Sequence, residues 1–228
     1  MIARLFDKIH RWERGLHRRM GKDISTPAGR RGGWLRYQLL DHGLLRHLWT
    51  KFDEIAPGAY RSNQPDAKRL KKYQAMGIRT VLNLRGVSEH SPYLFEREAC
   101  EALGLTLIDI SFQARKAPKR SALLDLIDLF ARIEKPFVLH CKSGADRAGL
   151  ASAIYLLTQE GAPLDQAMQQ LSFRYLHLKN SRTGVLDHVL ELYGERLKLG
   201  AIAFRDWVAS EYDDVATNAS FAEKRARS

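Results

Sequence analysis

The run Phe137-Val-Leu-His-Cys-Lys-Ser-Gly-Ala-Asp-Arg-Ala-Gly, continued by Leu-Ala-Ser-Ala-Ile-Tyr-Leu-Leu to Leu157, constrains this chain more than any other stretch. A short apolar segment, Phe137 to Leu139, reads as a buried strand, and a helix-compatible apolar segment follows from Ala148. Between them stand Cys141, five residues, and Arg147. A strand-to-helix turn of this kind lets backbone N–H groups converge on an anion. A thiol at its base lies near the positive end of the helix, which favours the nucleophilic thiolate. An arginine at its far end can fork onto two oxygens of a phosphate. A lone cysteine in apolar surroundings is more often a small buried hydrophobe. Here three residues of complementary chemistry fall within seven positions, which points to phosphoryl transfer through sulfur.

His140-Cys141-Lys142-Ser143-Gly144-Ala145-Asp146-Arg147 resembles the signature of the protein tyrosine phosphatase superfamily, His-Cys, five residues, Arg. The resemblance extends over about residues 54 to 195. It includes Tyr60-Arg61-Ser62 ahead of Pro65, and an apolar strand ending in Leu84-Arg85. It implies a phosphocysteine on Cys141, with phosphate gripped by Arg147 and by the backbone of Lys142, Ser143, Gly144 and Ala145. His140 would orient the loop, and Lys142 would add positive potential at the mouth.

Two positions depart from the common pattern. Many members carry Ser or Thr after the arginine, where a hydroxyl assists release of the cysteine; this chain has Ala148. Many take a general acid from a separate loop, yet the corresponding stretch, residues 111–120, holds no Asp or Glu. Gly-x-Asp-Arg is similar to a bacterial subgroup of atypical dual-specificity-like phosphatases, some active on phosphoinositides as well as phosphoproteins. That similarity makes Asp146 the expected general acid, with Asp109 as the alternative. Arg61 and Arg85, at strand ends, are expected either as surface charge or as holders of an anionic substrate. Asn180 and Arg182, in a polar turn after the catalytic helix, are candidates for positioning water.

Around this centre the chain divides into three parts. Residues 1–52 form a basic extension, 53–212 the phosphatase domain and 213–228 a flexible tail. Strands near 55–61, 80–85, 106–112 and 137–141 alternate with helical patterns. The fold expected is therefore α/β, a phosphatase-like sheet surrounded by helices, with a basic helical N-terminal extension. The two cysteines, Cys100 and Cys141, make no disulfide framework and suit a reducing compartment. Cys100 sits in a helical pattern and reads as core.

The net charge of +11 is unevenly placed, with 12 Lys/Arg against 4 Asp/Glu in residues 1–51. Ile2, Leu5, Phe6, Ile9, Trp12, Leu16 and Met20 recur at helical spacing, with most of the basic residues off that stripe. The reading is a basic amphipathic helix over residues 2–20, either resting on an anionic membrane surface or docked on the domain. Residues 21–33 read as a linker and 34–49 as a second helix. His42 and His47 are five apart and poorly spaced for a shared metal. No metal and no cofactor are expected. The expected partner is a phosphorylated protein or an anionic phospholipid, with possible peripheral membrane contact through residues 1–20. No motif reads nucleic-acid bases, and no apolar run approaches a membrane span. The expected location is cytoplasmic, peripheral on the inner membrane face if the helix binds lipid.

Overall fold

The computed structural model describes residues 22–41 and 43–227. The helix expected over residues 2–20 and the side-chain readings for His42 and His47 fall outside what is described.

The elements run in chain order as α1 (Pro27–Leu35), a wide π turn (Arg36–Leu40), α2 (Gly43–Leu48), β1 (Asp53–Ala56), β2 (Ala59–Asn63), α3 (Ala67–Ala75), β3 (Thr80–Asn83), α4 (Ser91–Ala102), β4 (Thr106–Asp109), α5 (Arg120–Phe130), β5 (Phe137–Cys141), α6 (Asp146–Gln159), α7 (Leu164–Met168), 3-10 turns at Phe173–Tyr175 and Arg182–Gly184, α8 (Val185–Leu197), α9 (Phe204–Ser210) and α10 (Asp214–Ala226). The strands form one sheet of order β1-β2-β5-β3-β4. β1 pairs with β2 as an antiparallel hairpin, and the remaining pairings are parallel. The α/β expectation therefore holds.

β5 is the central strand and every one of its residues is buried. Because strand side chains alternate between faces, its two faces feed two cores. Phe137, Leu139 and Cys141 join the larger core with Leu123 and Leu126 of α5, Leu150 and Ile154 of α6, and Val189 and Leu190 of α8. Val138 joins a smaller core with Leu70 and Tyr73 of α3 and Ala99 and Cys100 of α4. Each fully buried Leu, Val or Phe contributes about 1.5–3 kcal/mol through water exclusion, so β5 is anchored on both sides. That anchoring fixes where the chain emerges at Cys141. Register pairs Asn63 of β2 with Cys141, bringing the end of β2 alongside the catalytic turn.

Several boundaries differ from the sequence reading. Residues 21–33 do not form a plain linker, because Pro27 opens α1 and the Thr26 hydroxyl caps it by accepting from Gly29 N–H at 3.0 Å. A Cβ on Gly33 would lie 3.1 Å from Ser91 Cβ, so glycine there lets α1 sit tightly on α4. The single helix expected over 34–49 is interrupted by the π turn. The strands near 80–85 and 106–112 end sooner, at Asn83 and Asp109, beyond which only an isolated bridge joins Arg85 to Ser111. The cap position of α5 is Lys119, which makes no side-chain cap bond. After α6, α7 stops at Met168, and Leu176 then adopts a left-handed φ of 57°.

The largest revision concerns the C-terminus. Residues 213–228 were expected as a flexible tail, but Asp213 caps α10 by accepting from Ala216 N–H at 2.8 Å. α10 packs along α8, where His188 Nε2 meets Ser220 Oγ at 2.9 Å and Lys224 pairs with Glu191 at 2.6 Å. It also reaches the segment before α5, because Ala117 N–H donates to Asn218 Oδ1 at 3.0 Å. Tyr212, just ahead of it, donates its hydroxyl to Pro118 O at 2.7 Å.

Candidate active site

At the carboxyl end of β5 the chain turns through residues 142–145 and enters α6 at Asp146. Cys141 is 2% exposed. Ala145, the cap position of α6, makes no side-chain cap bond, so the first N–H groups of this 14-residue helix have no side-chain cap from that position. Gly144 has φ +71°, and a Cβ there would lie 2.7 Å from the backbone N of Asn63. Neither the left-handed conformation nor that contact with backbone tolerates a side chain. Arg147 is tethered at one nitrogen, donating from NH1 to Leu84 O at 3.3 Å. Its Nε is buried with no hydrogen-bond partner among the described residues. A guanidinium held at one corner, on the first turn of a helix that follows a buried thiol, suits an oxyanion with several acceptors.

Arg61 does not hold substrate; it braces the loop from behind. The side chain is fully buried. NH2 donates to Gly144 O at 2.7 Å and Ala145 O at 3.3 Å, and NH1 to Gln170 O at 2.8 Å and Gln170 Oε1 at 2.7 Å. Its guanidinium stacks 3.6 Å from the centre of the Tyr175 ring. Burial pushes Arg61 down to about 10, opposed by Tyr175 and Cys141, so the charge persists at neutral pH. Arg61 thus holds the carbonyls of Gly144 and Ala145 on its own side of the loop.

Arg85 is committed to Asp41 through both terminal nitrogens, at 3.0 and 3.1 Å, and to Gln64 Oε1. Arg46 pairs with the same carboxylate at 2.8 Å and Lys142 at 3.3 Å. Burial pushes the Asp41 carboxyl up, but Arg85, Arg46 and Lys142 outweigh it and hold the group below its ordinary value. The extension therefore supplies an anion that organises three cations beside the loop. Burial also pushes Lys142 down, against the pull of Asp41. Of the other loop positions, Ser143 is exposed and its Oγ accepts a long bond from Ala145 N–H at 3.4 Å.

Asp146 meets surroundings opposed to a protonated acid. Its Oδ1 lies 2.7 Å from His177 Nδ1, and His177 Nε2 lies 2.6 Å from Asp187 Oδ2. Burial would raise Asp146, but hydrogen bonds from His177 and Thr183 and the charges of His177 and Lys51 hold it below its ordinary value. Burial would lower His177, and the two carboxylates outweigh this and raise it to about 9. The resting proton thus belongs to the imidazole. Asp109, the alternative acid, is engaged by Asn83 Nδ2 at 2.7 Å and by the Tyr93 hydroxyl at 2.8 Å. Those bonds tie β4 to β3 and α4.

His140 points to the opposite face of β5 from Cys141, as alternation requires. Its Nε2 lies 2.7 Å from Glu96 Oε1, and its Nδ1 is 3.4 Å from Cys141 O. Asn180 and Arg182 are exposed, and it is Thr183 and His177 from the same segment that reach Asp146. Ala148 is fully buried, and Cys100 is buried with its thiol pushed up to about 12 by burial.

Lys51, Asp41, His177, Thr183 and Asp187 all went unnoticed in the sequence. Lys51 stands in a left-handed turn, φ 48°, pinned by Asn63 N–H donating to Thr50 O at 2.9 Å. Burial lowers its ammonium, while Cys141 and Asp146 raise it, so it faces the loop. His177 offered no signal, standing as one polar residue between Leu176 and Leu178.

A family model described as "Polymorphic toxin system, DSP-PTPase phosphatase" matches residues 56–162. Among curated proteins nothing matches. Solved structures share the fold. TpbA of P. aeruginosa is 17% identical, with 76% of this chain and 91% of that one covered and a TM-score of 0.51. A mutant form of Tk-PTP is 22% identical, covering 65% and 97%, at 0.51. A DUF442 protein from Shewanella putrefaciens is 18% identical, covering 66% and 93%, at 0.50. The matched segment holds the sheet from β2 to β5, the turn after Cys141 and all of α6, so over that segment the chain is similar to the DSP-PTPase phosphatase family, and it shares the fold of these solved structures.

Proposed function

We propose that this chain releases inorganic phosphate from phosphorylated protein side chains, phosphotyrosine foremost, through a phosphocysteine on Cys141. The observation that carries the reading is Arg147, six positions after the buried Cys141, whose buried Nε has no partner among the described residues while NH1 is held by Leu84 O. Phosphate enters against the loop N–H groups and Arg147, which neutralise charge in the transition state. The sulfur–phosphorus bond forms as the bond to the ester oxygen breaks, and the leaving oxygen takes its proton from solvent water. Water then attacks phosphorus, and the electron pair of the sulfur–phosphorus bond returns to Cys141. Lys51 and Lys142 add positive potential at the mouth.

A phosphate-release screen across phosphopeptides, phosphoinositides and phosphatidylglycerol phosphate tests this, with Cys141→Ser as control. Release from phosphotyrosine peptides by the wild type alone is expected. Release confined to the lipids would move the substrate to a membrane surface, and full activity of Cys141→Ser would refute the mechanism.

A further inference from the structure

The chain Asp146–His177–Asp187 joins the catalytic loop to α8 through one imidazole whose side chain is fully buried. Each ring nitrogen faces a carboxylate oxygen, at 2.7 and 2.6 Å. A neutral imidazole has one N–H and one lone pair, so it would set a lone pair against one of those anions. Only the imidazolium donates to both. The charges around it agree. Asp187 lies on one side and Asp146 on the other, and Asp146 is in turn approached by the Thr183 hydroxyl and the Lys51 ammonium.

We propose that His177 is a positioning residue: clamped by Asp187, it keeps Asp146 an ionised and fixed carboxylate, which then serves as general base for hydrolysis of the phosphocysteine. This rests on the reading of Cys141 and Arg147 given above. In that step water oxygen bonds to phosphorus, the sulfur–phosphorus bond breaks with its electron pair returning to sulfur, and the water proton passes to Asp146. The arrangement supplies help at the step for which Ala148 offers no hydroxyl. Asp187 does not touch substrate; it holds the ring through Nε2, as a second carboxylate fixes a catalytic imidazole elsewhere.

Two measurements on the full chain test the idea. Nitrogen-15 spectra of histidine-labelled protein, assigned by difference against His177→Gln, are expected to show both ring nitrogens of His177 protonated at pH 7.5. A singly protonated ring would overturn the proposal, and this readout is independent of turnover. The second is the pH dependence of phosphocysteine breakdown, read from burst kinetics with an aryl phosphate. Loss of the opposite charge raises the carboxyl, so the acid limb in His177→Gln is expected to move upward by about one to three pH units. Asp187→Asn, which keeps the ring, is expected to move it the same way by less, and it substitutes if His177→Gln fails to fold. A uniform loss of rate at every pH would mean a purely structural role and refute the inference. Absence of any phosphoenzyme burst, with the ring still doubly protonated, would instead refute the phosphocysteine reading beneath it.

Discussion

Replacing Arg61 with alanine removes a side chain that touches no substrate and is nonetheless expected to disable the loop. Three short bonds would be lost, to Gly144 O at 2.7 Å, Gln170 O at 2.8 Å and Gln170 Oε1 at 2.7 Å, and the first two leave backbone carbonyls without this donor. Ala145 O keeps a donor from Gly149 N–H at 2.9 Å and drops out of the count. Each orphaned buried carbonyl costs about 1–3 kcal/mol, and the stacking on Tyr175 adds about 1–2 kcal/mol. Against this stands the relief of no longer burying a charge, so the net loss is about 3–5 kcal/mol. For a chain of this size each kcal/mol lowers the melting temperature by about 2–4 °C, which gives a drop of about 6–20 °C. The freed carbonyls would turn the loop N–H groups away from the anion, at about 10²–10³ in kcat, the cost of a lost oxyanion donor. Thermal melts and steady-state kinetics on Arg61→Ala, Arg61→Met and Arg61→Lys separate these effects. Methionine fills volume without donors, and lysine restores charge without the fork. If Arg61→Ala melts within about 2 °C of wild type and keeps kcat within about three-fold, the bracing argument based on these buried bonds fails.

Other consequences can be measured directly. Gly144→Ala places a Cβ 2.7 Å from the Asn63 nitrogen at φ +71° and should cost about 1–2 kcal/mol in backbone strain alone, with activity falling at least about a hundredfold. Ala148→Ser adds a hydroxyl next to Arg147 and is expected to speed phosphocysteine breakdown, seen as a smaller burst of aryl alcohol relative to the steady rate. Glu191 binds Lys224, Lys179 and His188; burial opposes them, and they still lower its carboxyl to about 2. Its folded value lies below the ordinary one, so its stabilisation is complete above about pH 4.3 and is lost as pH falls through about 2. Acid melts of Glu191→Gln should therefore be flatter over that window than those of the wild type.

What could be read from the sequence was local. Cys141, Gly144 and Arg147 stand within seven positions, and the strand and helix that hold them carry their own apolar patterns. Fixed spacing along one turn is geometry a sequence displays. The fate of Arg61 is not, because a charged residue at a strand end reads the same whether it faces solvent or lies buried behind a loop. His177 meets Asp146 across 31 positions and Asp187 across ten, and no periodicity links them. The last helix was missed for another reason. Its cap, Asp213, and its contacts with α8 and Ala117 supply what a weak apolar pattern does not.

That last helix gives one backbone amide an unusual meaning. Ala117 N–H belongs to the segment just before α5, yet its hydrogen-bond acceptor, Asn218, sits 101 positions later. Exchange of this proton with deuterated water would count the openings of a contact formed by the end of the chain at the rim of the segment before α5. A ligand or a truncation that loosens α10 should announce itself there first, as one peptide that exchanges early while the strands beneath Cys141 stay protected.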